Sequence, residues 1–249
     1  MEQYFVKEII NSDKFTIDEA ETFKHIAKVM RHKTGDIVYL VDPSEKLYAA
    51  TIDEIDSENN NILTSIELVN RPSTEMPVDV TVACSLSKKD KIEWITQKST
   101  ELGAKTIIFF DSKYSIMKWK TNVVEKKLAR LQEIAKNAAQ QSKRRIIPEV
   151  IYVNKLADLL KYQAEANLVA YEESAKQGEI SRLGQTLNQS PKSVLCAFGP
   201  EGGFAPDEID FLNQNDFVSV GLGPRIMRAE TAPMYFLSVL SYKYELTVK

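Results

Sequence analysis

The sequence predicts an α/β protein: a mostly parallel sheet with helices on both faces, preceded by a small β-barrel domain. Three observations carry that expectation. Residues 1–70 hold short β-rich runs interrupted by one helical pattern. From Val78 onward, strand-like and helix-like segments alternate, as βα units around a parallel sheet do. Near the C-terminal end, two glycine-bearing segments each follow a short apolar run, as loops leaving buried strands do.

In the first part, YFV, FTI, DIVYLVD, KLYAATIDEID and NILTSIELV read as strands, enough for a compact barrel of five or six. Ala20, Phe23, Ala27 and Met30 recur at helical spacing and predict a short helix from about Asp18 to Arg31. Two prolines between Asn70 and Pro77 mark a linker. The expected domains are therefore 1–72 and 73–249.

In the second part, VDVTVACSL is a strand. A helix follows over Lys89–Leu102, with Ile92, Ile95, Ser99 and Leu102 on one face and Gly103 as its stop. KTIIFFD, a long helix over Asn122–Gln141, PEVIYV, a helix at Lys155–Tyr162 and NLVAYEE come next. VLCAFG, a helix from about Pro206 to Gln214, FVSVGLG and a terminal helix from about Arg228 to Tyr242 complete the series. That last helix is apolar nearly all round, so it must be buried in its own domain or against a second copy.

Composition narrows the function. The chain has 249 residues, two histidines and two cysteines, with no clustered thiols, so a metal site is not expected. Cys84 and Cys196 each lie in an apolar run and read as buried thiols. No leader pattern opens the chain, and no apolar run reaches the roughly 18 residues of a membrane span. The expectation is a cytoplasmic protein without a membrane partner. A formal net charge of −3 conceals a contrast between a net −6 over residues 1–73 and a net +8 over residues 84–149. Segmental positive charge of that kind suits a nucleic-acid partner.

The two glycine segments are FGPEGGF at Phe198–Phe204 and GLGPRIMRAET at Gly221–Thr231. Glycine lets backbone N–H and C=O groups approach a ligand closely. Two such loops, one bearing Glu201 and the other Arg225, Arg228 and Glu230, describe a small-cofactor pocket with charge at its edge. Neither is a GxGxxG fingerprint, and no phosphate-binding GxxxxGK[ST] loop occurs.

With HIAKVMR at His25–Arg31, SLSKKDKIEWITQKSTELGA at Ser85–Ala104 and QQSKRRIIPEV at Gln140–Val150, these loops make the chain closely resemble the small-subunit ribosomal RNA methyltransferase E family. That family lies within the SPOUT class. The resemblance runs nearly end to end. It implies a PUA-like RNA-binding barrel and a SPOUT-type fold whose late strands form a trefoil knot. It also implies a homodimer that binds S-adenosylmethionine and methylates N3 of one uridine in the decoding region of 16S rRNA. The RNA would be met in the small ribosomal subunit or a late precursor. Met30 and Met227 stand where leucine is commonest, and SLSKKDK departs from the usual LPKG.

The resemblance also implies roles. Phe198, Gly199, Gly202, Leu222, Gly223, Ile226 and Met227 would form the cofactor pocket, with Leu222 and Ile226 sandwiching the adenine. Arg228 would meet the negative charge that develops on the uracil, oriented by Glu230 or Glu201. Either carboxylate is alternatively the proton acceptor, a role that requires a raised pKa. Arg31, Lys88, Lys89, Arg144 and Arg145 would hold RNA, with His25 either buried or an RNA contact. The competing readings are a knotted methyltransferase acting on another base or a ribose hydroxyl, and a noncatalytic RNA-binding assembly factor.

Overall fold

A computed structural model describes residues 2–171 and 181–247. The chain divides into two units, Met1–Thr74 with Gln140–Ile146, and Glu75–Ala139 with Ile147–Lys249. The sequence predicts one boundary near residue 73. The structure adds the return of 140–146 to the first unit, which no local composition announces.

The first unit is a five-stranded sheet in the order β1-β3-β4-β5-β2. Its strands are β1 (Gln3–Phe5), β2 (Lys14–Ile17), β3 (Ile37–Val41), β4 (Leu47–Asp56) and β5 (Asn61–Leu68). Pairing is antiparallel except between β1 and β3. The alternation visible in the sequence is the burial pattern: Tyr48, Ala50 and Ile52 of β4 point into a core with Val38, Leu40 and Ile62. α1 (Ala20–Phe23) runs on into a wider π-type turn at Lys24–Val29 and seats Phe23 and Ile26 in that core. Arg31, with φ 58°, ends it in the left-handed conformation.

The return segment is tied in by its backbone. Gln3 Nε2 donates to the Arg144 carbonyl (2.5 Å) and Thr74 Oγ1 to the Lys143 carbonyl (2.7 Å). The Arg145 guanidinium donates to the Arg71 carbonyl (2.7 Å).

The second unit is a six-stranded, all-parallel sheet in the order β11-β9-β10-β6-β7-β8. The strands are β6 (Asp79–Ser85), β7 (Thr106–Phe110), β8 (Glu149–Val153), β9 (Ala166–Ala170), β10 (Ser193–Phe198) and β11 (Phe217–Val220). Strands buried on both faces read as continuous apolar runs, and successive residues serve opposite cores. Val82, Cys84, Ile107, Phe109, Cys196 and Phe198 face one core, whereas Ala83, Ile108, Phe110, Leu195 and Ala197 face the other.

α2 (Lys89–Glu101), α3 (Thr121–Gln141), α4 (Ser181–Asn188) and α6 (Ala232–Ser241) cover the first face. A 3-10 helix at Leu156–Tyr162 and α5 (Pro206–Gln214) cover the second. The expected helix at Lys155–Tyr162 is thus the tighter 3-10 form. α4 is an element the sequence reading omitted. The final residues of the expected strand NLVAYEE, Glu172 and Glu173, lie outside the described residues. α6 starts later than expected because 228–231 close a turn first, Thr231 N–H donating to the Arg228 carbonyl (2.8 Å). Cys84 and Cys196 are buried free thiols, and burial pushes both thiol pKa values up, which leaves them inert.

Candidate active site

The C-terminal ends of β9, β10 and β11 lie side by side, because β9 pairs with both of its neighbours in parallel. In an open α/β sheet that edge is where ligands settle. Here the two glycine loops leave it, and between them is a cavity of about 750 Å3, within the roughly 300–1,000 Å3 usual for small-molecule sites.

Each loop is shaped by a local requirement. Phe198 ends β10 buried edge-on against Phe236 of α6, ring centroids 5.7 Å apart, which fixes the start of the first loop. The loop then turns back, Gly203 N–H donating to the Pro200 carbonyl (2.9 Å). It folds so tightly that a Cβ on Gly199 would lie 3.2 Å from Gly203 C and from the Phe204 backbone nitrogen. In the second loop Gly223 has φ +90°, a conformation other residues resist.

All seven expected cofactor residues line the cavity: Phe198, Gly199, Gly202, Leu222, Gly223, Ile226 and Met227. Leu222 is half-buried, whereas Ile226 stands 77% exposed at the mouth. The backbone-rich walls and apolar side chains fit an adenosine-bearing ligand. When bound, S-adenosylmethionine supplies a methyl group already activated on a sulfonium.

The charged groups are arranged differently from the expectation. Glu201 and Glu230 do not orient Arg228; both face Lys91 of α2. Its ammonium lies 2.9 Å from Glu201 Oε1 as a hydrogen bond. It lies 3.0 Å from Glu230 Oε2 as an ion pair off the hydrogen-bond axis, so that buried oxygen is held by charge alone. Lys91 is therefore a bracket between the two loops.

Burial works to raise the Glu201 carboxyl, but the Lys91 hydrogen bond, the residue's own backbone N–H and the charges of Lys91 and Lys88 outweigh it. The net shift is downward. A general base at Glu201 needs the opposite shift. The hydrogen bond to Glu201 first, and then the close Glu230 carboxylate, hold the Lys91 ammonium above the ordinary lysine range. Arg228 is exposed on the cavity wall, and no described side chain pairs with it. Two carboxylates and three cations (Lys91, Arg225, Arg228) leave this edge with a formal charge of +1.

Lys88 and Lys89 are exposed at the start of α2, Lys89 within 3.7 Å of Glu93. Arg31, Arg144 and Arg145 belong to the first unit. Arg144 is only 3% exposed, so a phosphate grip by its side chain is ruled out, and Arg145 is engaged with the backbone of Arg71. His25 is exposed rather than buried, its Nδ1 2.8 Å from the Tyr4 hydroxyl.

A parallel sheet opening between two glycine loops onto a cofactor-sized cavity, with Arg228 exposed on its wall, defines an α/β protein with a small-cofactor site. Comparison with known proteins narrows the class: the RNA methyltransferase domain matches residues 74–241 and the RNA methyltransferase PUA domain residues 17–60. A ribosomal RNA small subunit methyltransferase E of Bacillus subtilis (strain 168) is 40% identical over 257 residues, covering 99% of this chain and 98% of that protein. The crystal structure of one from Neisseria gonorrhoeae bound to S-adenosyl methionine is 26% identical, with a TM-score of 0.82 and 98% of each chain covered. A crystal structure of a hypothetical protein reaches 34% identity and a TM-score of 0.89 over 99% of this chain and 100% of that one. The chain belongs to the ribosomal RNA small subunit methyltransferase E family of the SPOUT superfamily.

Proposed function

We propose that this chain transfers the methyl group of S-adenosylmethionine to N3 of one uridine in the decoding region of 16S rRNA, within the small subunit or a late precursor. The observation that carries the reading is the cavity itself: every expected cofactor residue lines it, and Arg228 is exposed on its wall with no partner among the described side chains. The late strands are read as the trefoil knot of the family, and the active unit as a cytoplasmic homodimer. No described helix is long and apolar enough to cross a membrane.

The residues divide the work. The glycine loops hold the cofactor by backbone contacts and align it with the incoming base. Lys91 offsets part of the charge of Glu201 and Glu230, and Arg225 and Arg228 bring the edge to a formal +1 that favours a ring becoming anionic. As the N3 proton leaves to water at the open mouth, the Arg228 guanidinium meets the charge left on the uracil. The two glycine loops would hold S-adenosylmethionine so that its methyl group, leaving sulfur as it bonds to N3, is aligned with the base.

The test supplies labelled S-adenosylmethionine to small subunits that lack the modification, then maps the labelled nucleotide. Label at N3 of a single uridine is the expected result. Label on another base or on a ribose, or cofactor binding without transfer, would overturn it.

A further inference from the structure

The segment 111–118, which follows β7, is held more firmly than a connecting loop needs. Buried Ser85 Oγ lies 2.8 Å from Ser112 Oγ and 2.6 Å from Ser115 Oγ. The Ser112 N–H donates to Ser115 Oγ (3.0 Å). The Lys113 N–H donates to buried Glu208 of α5 (2.9 Å), and the Lys113 ammonium pairs with Asp207. The first glycine loop backs onto the same segment, since a Cβ on Gly202 would lie 3.3 Å from Tyr114 Cβ.

From this base Tyr114 projects 51% exposed, beside exposed Ile116 and Met117. No described aromatic or cationic side chain covers its ring. A half-exposed ring on a fixed backbone is what base stacking uses: its conformational cost is already met by the fold, and every nucleobase offers a π-face. The same segment borders a second basin, of about 550 Å3, lined by Lys113, Lys118 and Lys155 and by the carboxylates Asp111, Asp207 and Glu208. Lys113 is engaged by Asp207, whereas Lys118 and Lys155 are exposed, Lys118 near enough to feel the charge of Asp111 and Lys155 that of Asp158.

We propose that this surface is the track for single-stranded RNA next to the target nucleotide, one flanking base stacking on Tyr114 and the following phosphates lying against Lys118 and Lys155. The occupant is a single strand because a duplex hides its base faces. The proposal rests on the methyltransferase reading, which supplies the target nucleotide at the adjoining cavity.

The test uses the full chain and three variants: Tyr114→Ala, Tyr114→Phe, and Lys118→Ala with Lys155→Ala. Fluorescence anisotropy with an end-labelled single-stranded RNA oligonucleotide reads binding, and calorimetry reads S-adenosylmethionine affinity. Tyr114→Ala is expected to weaken RNA binding by roughly 5- to 150-fold, the range of a lost base–aromatic stack, with cofactor affinity within a few-fold. Tyr114→Phe retains the ring and is expected to bind normally. The lysine pair is expected to lower the log–log salt slope by about 1.4, from two single-strand phosphate contacts at about 0.7 each. Normal RNA binding by Tyr114→Ala, failure of Tyr114→Phe to preserve it, or parallel loss of RNA and cofactor would overturn the platform. The last outcome would make Tyr114 a prop for Gly202. If the wild type methylated no small subunits, the methyltransferase reading would fall, while the oligonucleotide measurement, which needs no turnover, would still decide the platform.

Discussion

At the scale of the residue, two cations with opposite surroundings do different work. Arg228 is exposed on the cavity wall with no described partner, so its charge is available to a substrate. Arg228→Ala is expected to lower the single-turnover methyl-transfer rate by about 10²–10³, the cost of one preorganised donor, while cofactor affinity stays within a few-fold. Rapid-quench transfer on saturating RNA, beside calorimetry, checks both halves. Lys91 is the reverse case, its charge spent between Glu201 and Glu230. Lys91→Met strands two carboxylates and is expected to cost about 1–3 kcal/mol of stability, together with cofactor affinity. Denaturant unfolding and calorimetry would show it, and adding Glu201→Gln should restore part of the loss.

The pH dependence of that bracket follows from the direction of each shift. The Glu201 carboxyl is held below its ordinary value, so its contribution is complete above the ordinary carboxylate range and fades as pH falls through the lowered folded value. The Lys91 ammonium is held above its ordinary value, so its contribution is intact at neutral pH and fades only as pH rises through the raised folded value. Stability measured from pH 7 down to pH 3 should therefore fall less steeply in Lys91→Met than in the wild type. An unchanged profile would mean that the pair is screened and contributes little.

At the scale of the element, α6 serves the pocket from behind. Phe236 is fully buried and meets Phe198 at the point where β10 becomes the first glycine loop. Phe236→Ala is expected to cost about 3–5 kcal/mol, as large-to-small changes in a close-packed core do. It should also weaken cofactor binding at temperatures where the variant remains folded. Thermal unfolding and calorimetry test the two effects separately. The strands and both loops were legible because their signals are local: period-two burial in β4, unbroken apolar runs in β7 and β10, and glycine after each. α4 was not, since SRLGQTLN offers only Leu183 and Leu187 at helical spacing and carries Gly184 inside. The Lys91 bracket was hidden for a different reason. Its partner Glu201 is 110 residues away, and nothing local distinguishes Lys91 from Lys88 or Lys89. Arg144 misled because arginine is seldom fully buried, so a KRR run reads as surface.

At the scale of the whole molecule, the remaining question is what meets the outer face of α6 and the turn after it. Pro233, Phe236, Leu237 and Leu240 are buried in the chain's own core, which accounts for one side of an element apolar nearly all round. Tyr235, Tyr242 and Leu246 remain exposed on α6 and the turn, and Trp94 is half exposed on α2, which packs against α6. Exposed large apolar side chains on one helix, the turn after it and a neighbouring helix suit the association surface of the proposed homodimer. A second copy is the occupant expected from the proposed homodimer. A stable interface would have to bury about 1,200–2,000 Å2 in total, and these side chains supply its apolar centre. Sedimentation at micromolar protein should give twice the chain mass of 28.2 kDa. Tyr242→Glu with Leu246→Glu should give one chain mass with an unchanged far-ultraviolet spectrum, because both positions are exposed in the single chain and the substitutions create no buried charge there. Methyl transfer by the dissociated variant should drop if the active unit is the pair. A wild-type chain that sediments singly and retains full activity would show that this apolar face serves some other partner.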